Sequence, residues 1–174
     1  MMRSITLILL MGTFAGVAAE PSLSPQLEPL RPFIGKTWKG TFASSKPEKP
    51  MHDVARWERV LNGKGVRIVH SVNDGAYGGE SVIIWNRKNE RMEFHYYTTA
   101  GFFTEGFMRM EGKKLISNEK VVGSNEGVTE VKATIELLPN GKMQAQSEFL
   151  KNGQWEPGHK ILYEEAPGAE VKFR

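Results

Sequence analysis

Short segments in which apolar and polar residues alternate fill this sequence from Thr37 to Glu164, and they constrain the fold more than any other feature. In the longest of them, Val128 to Leu138, every second side chain from Val131 to Leu137 is apolar. Successive side chains of a strand point to opposite faces, so a period of two predicts half-buried strands. Turns such as Asn62-Gly63 and Asn140-Gly141 separate the segments, and Asn-Gly is a strong hairpin signal. The pattern predicts a meander of about ten antiparallel strands.

A meander leaves two unpaired edge strands unless it closes on itself, and closure into a barrel removes both edges. We therefore predict an all-β fold, a single up-and-down antiparallel β-barrel over residues 35–166, with a two-layer sandwich as the alternative. Trp38 follows the flexible Gly35 where the first strand begins. We expect its large apolar side chain to fill the closed end of the barrel.

The first nineteen residues have the pattern of a secretory signal peptide. Arg3 gives a basic start, Ile5 to Met11 is apolar, and Val17-Ala18-Ala19 is a small-residue cleavage pattern. A membrane-spanning helix needs about 20 apolar residues, and this run is shorter. We interpret residues 1–19 as a signal peptide, which predicts a periplasmic or secreted protein with no integral membrane segment in its mature chain.

The segments on either side of the barrel have little strand pattern. Residues 20–34 contain Pro21, Pro25 and Pro29 with serines between them, which predicts an extended tether or a short turn. Residues 167–174 follow the last strand, and we expect this tail to fray.

Composition excludes several classes of function. The chain of 174 residues has a formal net charge of +3 and no cysteine. So small a basic excess, without a long basic run, predicts no nucleic-acid partner, and the missing cysteines exclude disulfide and thiolate chemistry. We find no G-x-S-x-G, H-E-x-x-H or Walker motif, and therefore assign no catalytic and no metal-ligating residue. The sequence does not indicate an oligomeric state.

Two histidines lie on strand faces that also carry apolar side chains. His70 shares its face with Ile68, and His159 shares its face with Ile161. We therefore expect both imidazoles to point inward. Either ring is a core histidine with hydrogen-bonded nitrogens, or it binds a ligand or haem iron.

Aromatic side chains on the alternating faces are candidates for the wall of a cavity, unless they fill the barrel completely as in small barrels. Arg59 lies on the same face as Trp57, where a guanidinium would suit the carboxylate of a fatty-acid-like ligand. In the strand from Phe102 to Met110, Phe103 and Glu105 share one face and Thr104 shares the other with its neighbours. The sequence leaves open which of these two faces is inward.

Two stretches resemble a known family. The start F-I-G-K-T-W-K-G and the closing W-x-P-G-H-K-I-L-Y are similar to lipocalin-like secreted bacterial proteins of the calycin group. This resemblance implies an up-and-down barrel with an interior cavity. The opening is also similar to that of nitrobindin-type haem barrels, which ligate iron through a late histidine. That similarity implies haem as a possible cofactor, with His159 or His70 as the ligand.

We therefore predict an exported, non-enzymatic β-barrel that binds a small apolar or amphipathic molecule in its interior. The alternatives are a haem-binding barrel, or a cavity enzyme of isomerase or hydrolase type with Glu105 and a nearby histidine as acid and base. The candidate ligand-binding residues are Trp57, Arg59, His70, Trp85, Tyr96, Phe103, Glu105 and His159.

Overall fold

A computed structural model describes residues 22–124 and 126–174, so the predicted signal peptide lies outside the described residues. Ten strands form a closed antiparallel barrel in which each strand pairs with its neighbours in the chain and β1 pairs with β10. The strands are β1 (Thr37–Phe42), β2 (His52–Val60), β3 (Gly65–Val72), β4 (Tyr77–Asn86), β5 (Arg91–Thr98), β6 (Phe103–Glu111), β7 (Lys114–Val122), β8 (Val128–Leu137), β9 (Met143–Lys151) and β10 (Gln154–Glu165). The predicted barrel is confirmed, and the sandwich is not formed.

The pairs that β1 forms with β10 and β2 show the register of the barrel. Gly40 of β1 lies opposite Tyr163 of β10, and Trp38 lies opposite Ala55 of β2. Trp38 is fully buried, as expected for a residue that fills the closed end. The alternation of the sequence thus becomes one inward and one outward face around the circle.

A 3-10 helix, Pro25–Phe33, covers one end of the barrel where the sequence predicted a tether or short turn. Leu27, Leu30 and Phe33 are buried, and the Phe33 ring stacks on Trp57 with 4.9 Å between centroids. The three apolar side chains recur every third residue, which is the period of this helix. They close what we call the capped end. The opposite end, with the β1–β2 and β3–β4 loops, is called the distal end.

The C-terminal tail packs on the barrel where fraying was predicted. It leaves β10 at the capped end and returns along the outer face to the distal end. The Lys172 amide donates to Ser71 Oγ at 3.0 Å, and Lys172 Nζ lies 3.0 Å from Asp74 Oδ1. In residues 22–124 and 126–174 there is no helix with the length and apolar character to cross a membrane.

Candidate functional site

A hydrogen-bonded group of polar side chains lies inside the distal half of the barrel. We call it the tyrosine–histidine cluster; its members are Asp53, His70, Tyr77, Tyr96 and Tyr163. Five strands, β2, β3, β4, β5 and β10, supply one member each, so the site exists only once the barrel has closed. The strand pairing sets these side chains on the inward faces.

Asp53 is the centre of the cluster and is 2% exposed. The hydroxyl of Tyr163 donates to its Oδ2 at 2.8 Å, and His70 Nδ1 lies 2.8 Å from its Oδ1. His70 Nε2 lies 2.8 Å from the Tyr96 hydroxyl, which lies 2.9 Å from the Tyr77 hydroxyl. A buried carboxylate is stable when several donors point at it, and here the donors come from strands far apart in sequence.

The buried carboxylate gives this chain of hydrogen bonds a direction. Asp53 can only accept when ionised, so Nδ1 of a neutral His70 carries the hydrogen and Nε2 is left as an acceptor. The Tyr96 hydroxyl then donates to His70, and the Tyr77 hydroxyl donates to Tyr96. In this protonation state every hydrogen in the series points toward Asp53.

Two glycines on the inward face make room for the tyrosine rings. A Cβ at Gly40 would lie 2.5 Å from the Tyr163 ring, and a Cβ at Gly79 would overlap the Tyr96 ring. Any other residue there would displace a ring that holds the cluster together. The two glycines are therefore the sequence feature that marks the cluster, although a strand glycine alone does not identify which ring covers it.

Glu119 of β7 faces the same half of the lumen. One carboxyl oxygen accepts from the Thr104 hydroxyl at 2.8 Å, and the other accepts from the Ser117 hydroxyl at 2.8 Å. Burial raises the pKa of Glu119, and the two hydroxyl hydrogen bonds oppose that shift. Sequence analysis missed this residue because its inward position depends on the register of β7 with β6.

The tyrosines of the cluster are held in their neutral form. Burial raises the pKa of Tyr96 and Tyr163, and the Asp53 charge raises both further. Burial also raises the pKa of Tyr77. These hydroxyls are therefore hydrogen-bonding groups and not phenolate nucleophiles.

The wall contributed by β8 to β10 is less tightly covered than the wall of β1 to β5. Ala55 of β2 is buried, whereas the inward Ala133 and Ala145 of β8 and β9 are partly exposed. Ile161 on β10 is also partly exposed. Solvent thus reaches an apolar wall of the barrel near the polar cluster.

Four of the predicted site residues lie on the inner face of the barrel, either in the cluster or between it and the capped end. His70 and Tyr96 belong to the cluster itself, and Trp57 and Trp85 lie toward the capped end. Trp57 stacks on Phe33 and is 2% exposed, so it forms part of the plug between helix and lumen.

Arg59 does not reach the lumen as a carboxylate clamp. Its Nε donates to the Ser22 carbonyl at 2.7 Å, and its terminal nitrogen donates to Asn62 Oδ1 at 3.1 Å. The residue lies beyond the Trp57 plug at the end of β2, where it holds the start of the helical cap to the barrel.

Phe103 and Glu105 lie on the outer face of β6, because Thr104 and Met108 are the buried residues of that strand. Glu105 Oε2 is 3.4 Å from His95 Nε2, with both side chains about half exposed. The acid and base arrangement of Glu105 with an interior histidine therefore does not form.

His159 lies at the distal end of the inner face, where the residue remains solvent-exposed while two aromatic rings cover part of its imidazole. Its ring makes edge contacts with Phe42, at 5.4 Å between centroids, and with Phe149, at 5.3 Å. Burial lowers the pKa of His159, which favours the neutral imidazole that can bind a metal ion.

The fold has a counterpart among solved structures. The crystal structure of Rv2717c from M. tuberculosis matches with a TM-score of 0.62, covering 83% of this chain and 99% of that chain at 13% sequence identity. No family model and no curated protein matches this sequence. The likeness shows a shared fold alone, so an argument about ligand must come from this chain's own side chains.

Proposed function

We propose that this protein is an exported barrel that binds a small amphipathic molecule in its lumen. One observation carries the proposal: a hydrogen-bonded polar cluster around the buried Asp53 lies inside the barrel, next to an apolar wall that solvent still reaches. Ligand sites of proteins are typically apolar cavities with a few convergent polar groups. The closed barrel supports the proposal, since barrels of this size can enclose one small ligand.

A substitution that fills the lumen tests this function. Ala133 points inward on β8, and its neighbour Thr134 points outward. We expect amphipathic ligands to quench tryptophan fluorescence and raise the melting temperature of the unmodified protein. Ala133→Trp should abolish both effects, and Thr134→Trp should retain them. Failure of a broad amphiphile screen, or equal binding by Ala133→Trp, would contradict the proposal.

Haem is the second candidate, and the position of His159 favours it. Both ring nitrogens of His70 are occupied by Asp53 and Tyr96, which leaves His159 as the better iron ligand of the two inward histidines. Haem iron is commonly held by one axial histidine among apolar side chains, and Phe42 and Phe149 flank this ring.

Titration with haem separates this candidate from the first. A haem barrel should develop a Soret band that is lost in His159→Ala and kept in His95→Ala, since His95 lies on the outer face. A protein that binds amphiphiles but gives no Soret band would eliminate haem and leave the first proposal intact.

A further inference from the structure

Among the described residues, no lysine or arginine side chain lies in the middle of the lumen. On the inward faces of the described strands the carboxyl groups within the barrel are Asp53 and Glu119, while the fixed cations, Arg59 and Lys151, stand at the two ends. Arg59 is held outside the plug by Ser22 and Asn62. Lys151 is the last residue of β9, at the distal rim beside Gly127.

The two carboxyl groups differ in what they have available for a ligand. Asp53 is enclosed, with His70 on one oxygen and Tyr163 on the other. Glu119 is held by two neutral hydroxyls, from Thr104 and Ser117. In its ionised form this partly buried group therefore has hydrogen bonds but no countercharge among the described residues, and removing an unpaired charge from water is costly.

The direction of the hydrogen bonds makes a second, independent argument. With Asp53 ionised and His70 neutral, the hydrogens of Tyr163, His70, Tyr96 and Tyr77 all point toward Asp53. The Thr98 hydroxyl is also used, since it donates to the Phe102 carbonyl at 2.7 Å. Because their hydrogens are already used, these groups can only accept hydrogen bonds from the lumen. A complementary head group must therefore donate hydrogen bonds.

Aromatic rings stand near Glu119. The Glu119 charge raises the pKa of both Tyr77 and Tyr96, so these phenols lie within its electrostatic range. Tyr96 is also directly opposite Thr104, which donates to Glu119. An organic cation is stabilised both by a carboxylate and by the faces of aromatic rings.

From these observations we infer that the lumen recognises its ligand by a cationic, hydrogen-bond-donating head group, an organic ammonium ion, bound against Glu119 and beside Tyr77 and Tyr96. The inference rests on the proposed function, because it assumes that an amphipathic molecule enters the barrel. It reverses the sign of charge expected from an Arg59 clamp: an amine is favoured over a fatty acid.

Three ligands with the same tail test the inference. Dodecylammonium, dodecanol and dodecanoate are titrated into the full mature chain by calorimetry, each below its micelle concentration and at about pH 8, where an ordinary imidazole is neutral. We expect dodecylammonium to bind about tenfold or more tightly than dodecanoate, the difference that one close charge pair gives. This ranking needs no variant and cannot be lost through misfolding.

Glu119→Gln then assigns the effect to one side chain. It should weaken dodecylammonium binding by about tenfold and leave dodecanol binding little changed, because the amide keeps the shape and removes the charge. Glu105→Gln, on the neighbouring strand and the outer face, should bind as the unmodified chain does. Each variant is first shown by its melting curve to be folded.

The outcomes separate the two proposals. If no dodecyl compound binds, both the proposed function and the head-group inference are overturned. If the three bind equally, if dodecanoate binds best, or if Glu119→Gln binds dodecylammonium unchanged, the inference alone is overturned and an amphiphile-binding barrel remains.

Discussion

At the scale of single residues, Asp53 shows how much of the site depends on one buried carboxylate. It fixes the tautomer of His70 and the donor role of Tyr163. Alternation in the sequence correctly predicted that His70 points inward. It gave no indication of Asp53, because a charged residue at that position of a strand is ordinarily exposed.

Tyr163→Phe tests the hydrogen bond to Asp53. The substitution removes one donor from a carboxylate that is 2% exposed, and an unsatisfied buried acceptor costs about 1–3 kcal/mol. We expect that loss in the free energy of unfolding measured with urea. Tyr97→Phe, at a residue that is 58% exposed, is the matched control and should be nearly neutral. Equal stability of the two variants would contradict the role of Tyr163.

Glu119 predicts a pH dependence of stability with a definite sign. Burial raises its pKa above the 4.5 expected for an unfolded chain, so between 4.5 and the folded value the folded protein holds more protons. Stability conferred by the protonated form is therefore present below 4.5 and lost as the pH rises through the folded pKa. Relative to Glu119→Gln, the unmodified protein should become less stable as pH increases.

Urea unfolding of both proteins across that pH range measures the difference. Glu105→Gln serves as the control, because the Glu105 carboxyl is about half exposed on the outer face. The difference in free energy of unfolding between this variant and the unmodified protein should change little with pH. The assignment would be contradicted if the unmodified protein became more stable relative to Glu119→Gln as the pH rises.

At the scale of elements, the strands followed from the sequence and the cap did not. Period-two alternation with glycine turns predicted about ten strands, and β4 begins at Tyr77, within a glycine-rich stretch of sequence. The segment Pro25–Phe33 is rich in proline and was predicted as a tether or short turn. It forms a 3-10 helix because its three apolar side chains pack into the open end of the barrel. The local sequence does not show that this end is available for packing.

Leu30→Ala tests whether this helix is part of the core. Leu30 has no exposed surface, and truncating such a leucine costs about 2–5 kcal/mol. We expect that decrease in the free energy of unfolding. Leu162→Ala removes the same atoms from a leucine that is 42% exposed and should cost within about 0.5 kcal/mol. Similar costs for both would show that the cap does not seal the barrel.

At the scale of the whole molecule, closure of β1 on β10 separates the alternating side chains into an inward and an outward set. Alternation defines two faces for each strand, but the choice of inward face depends on register with both neighbours. The sequence left open whether Phe103 with Glu105, or Thr104 with Gly106, formed the inward set of β6. Pairing with β5 and β7 selects the second, because the charged set can then stay in water.

Export is a prediction about the whole chain. The mature protein purified from its own host should begin at Glu20, as measured by intact mass and N-terminal sequencing, because cleavage follows small residues such as those from Val17 to Ala19. Ala19→Arg should block the cut and retain the longer chain. Recovery of the unmodified protein with its first residues attached would contradict the signal peptide.

The sequence by itself determined the class of fold, the approximate bounds of the strands and the inward position of Trp38 and His70, because each follows from local periodicity and turn chemistry. Only the tertiary structure decided that Asp53, Tyr163 and Glu119 face one lumen and that Arg59 does not. Those placements join strands more than a hundred residues apart, and a local pattern has no information about which strands a closing barrel brings together.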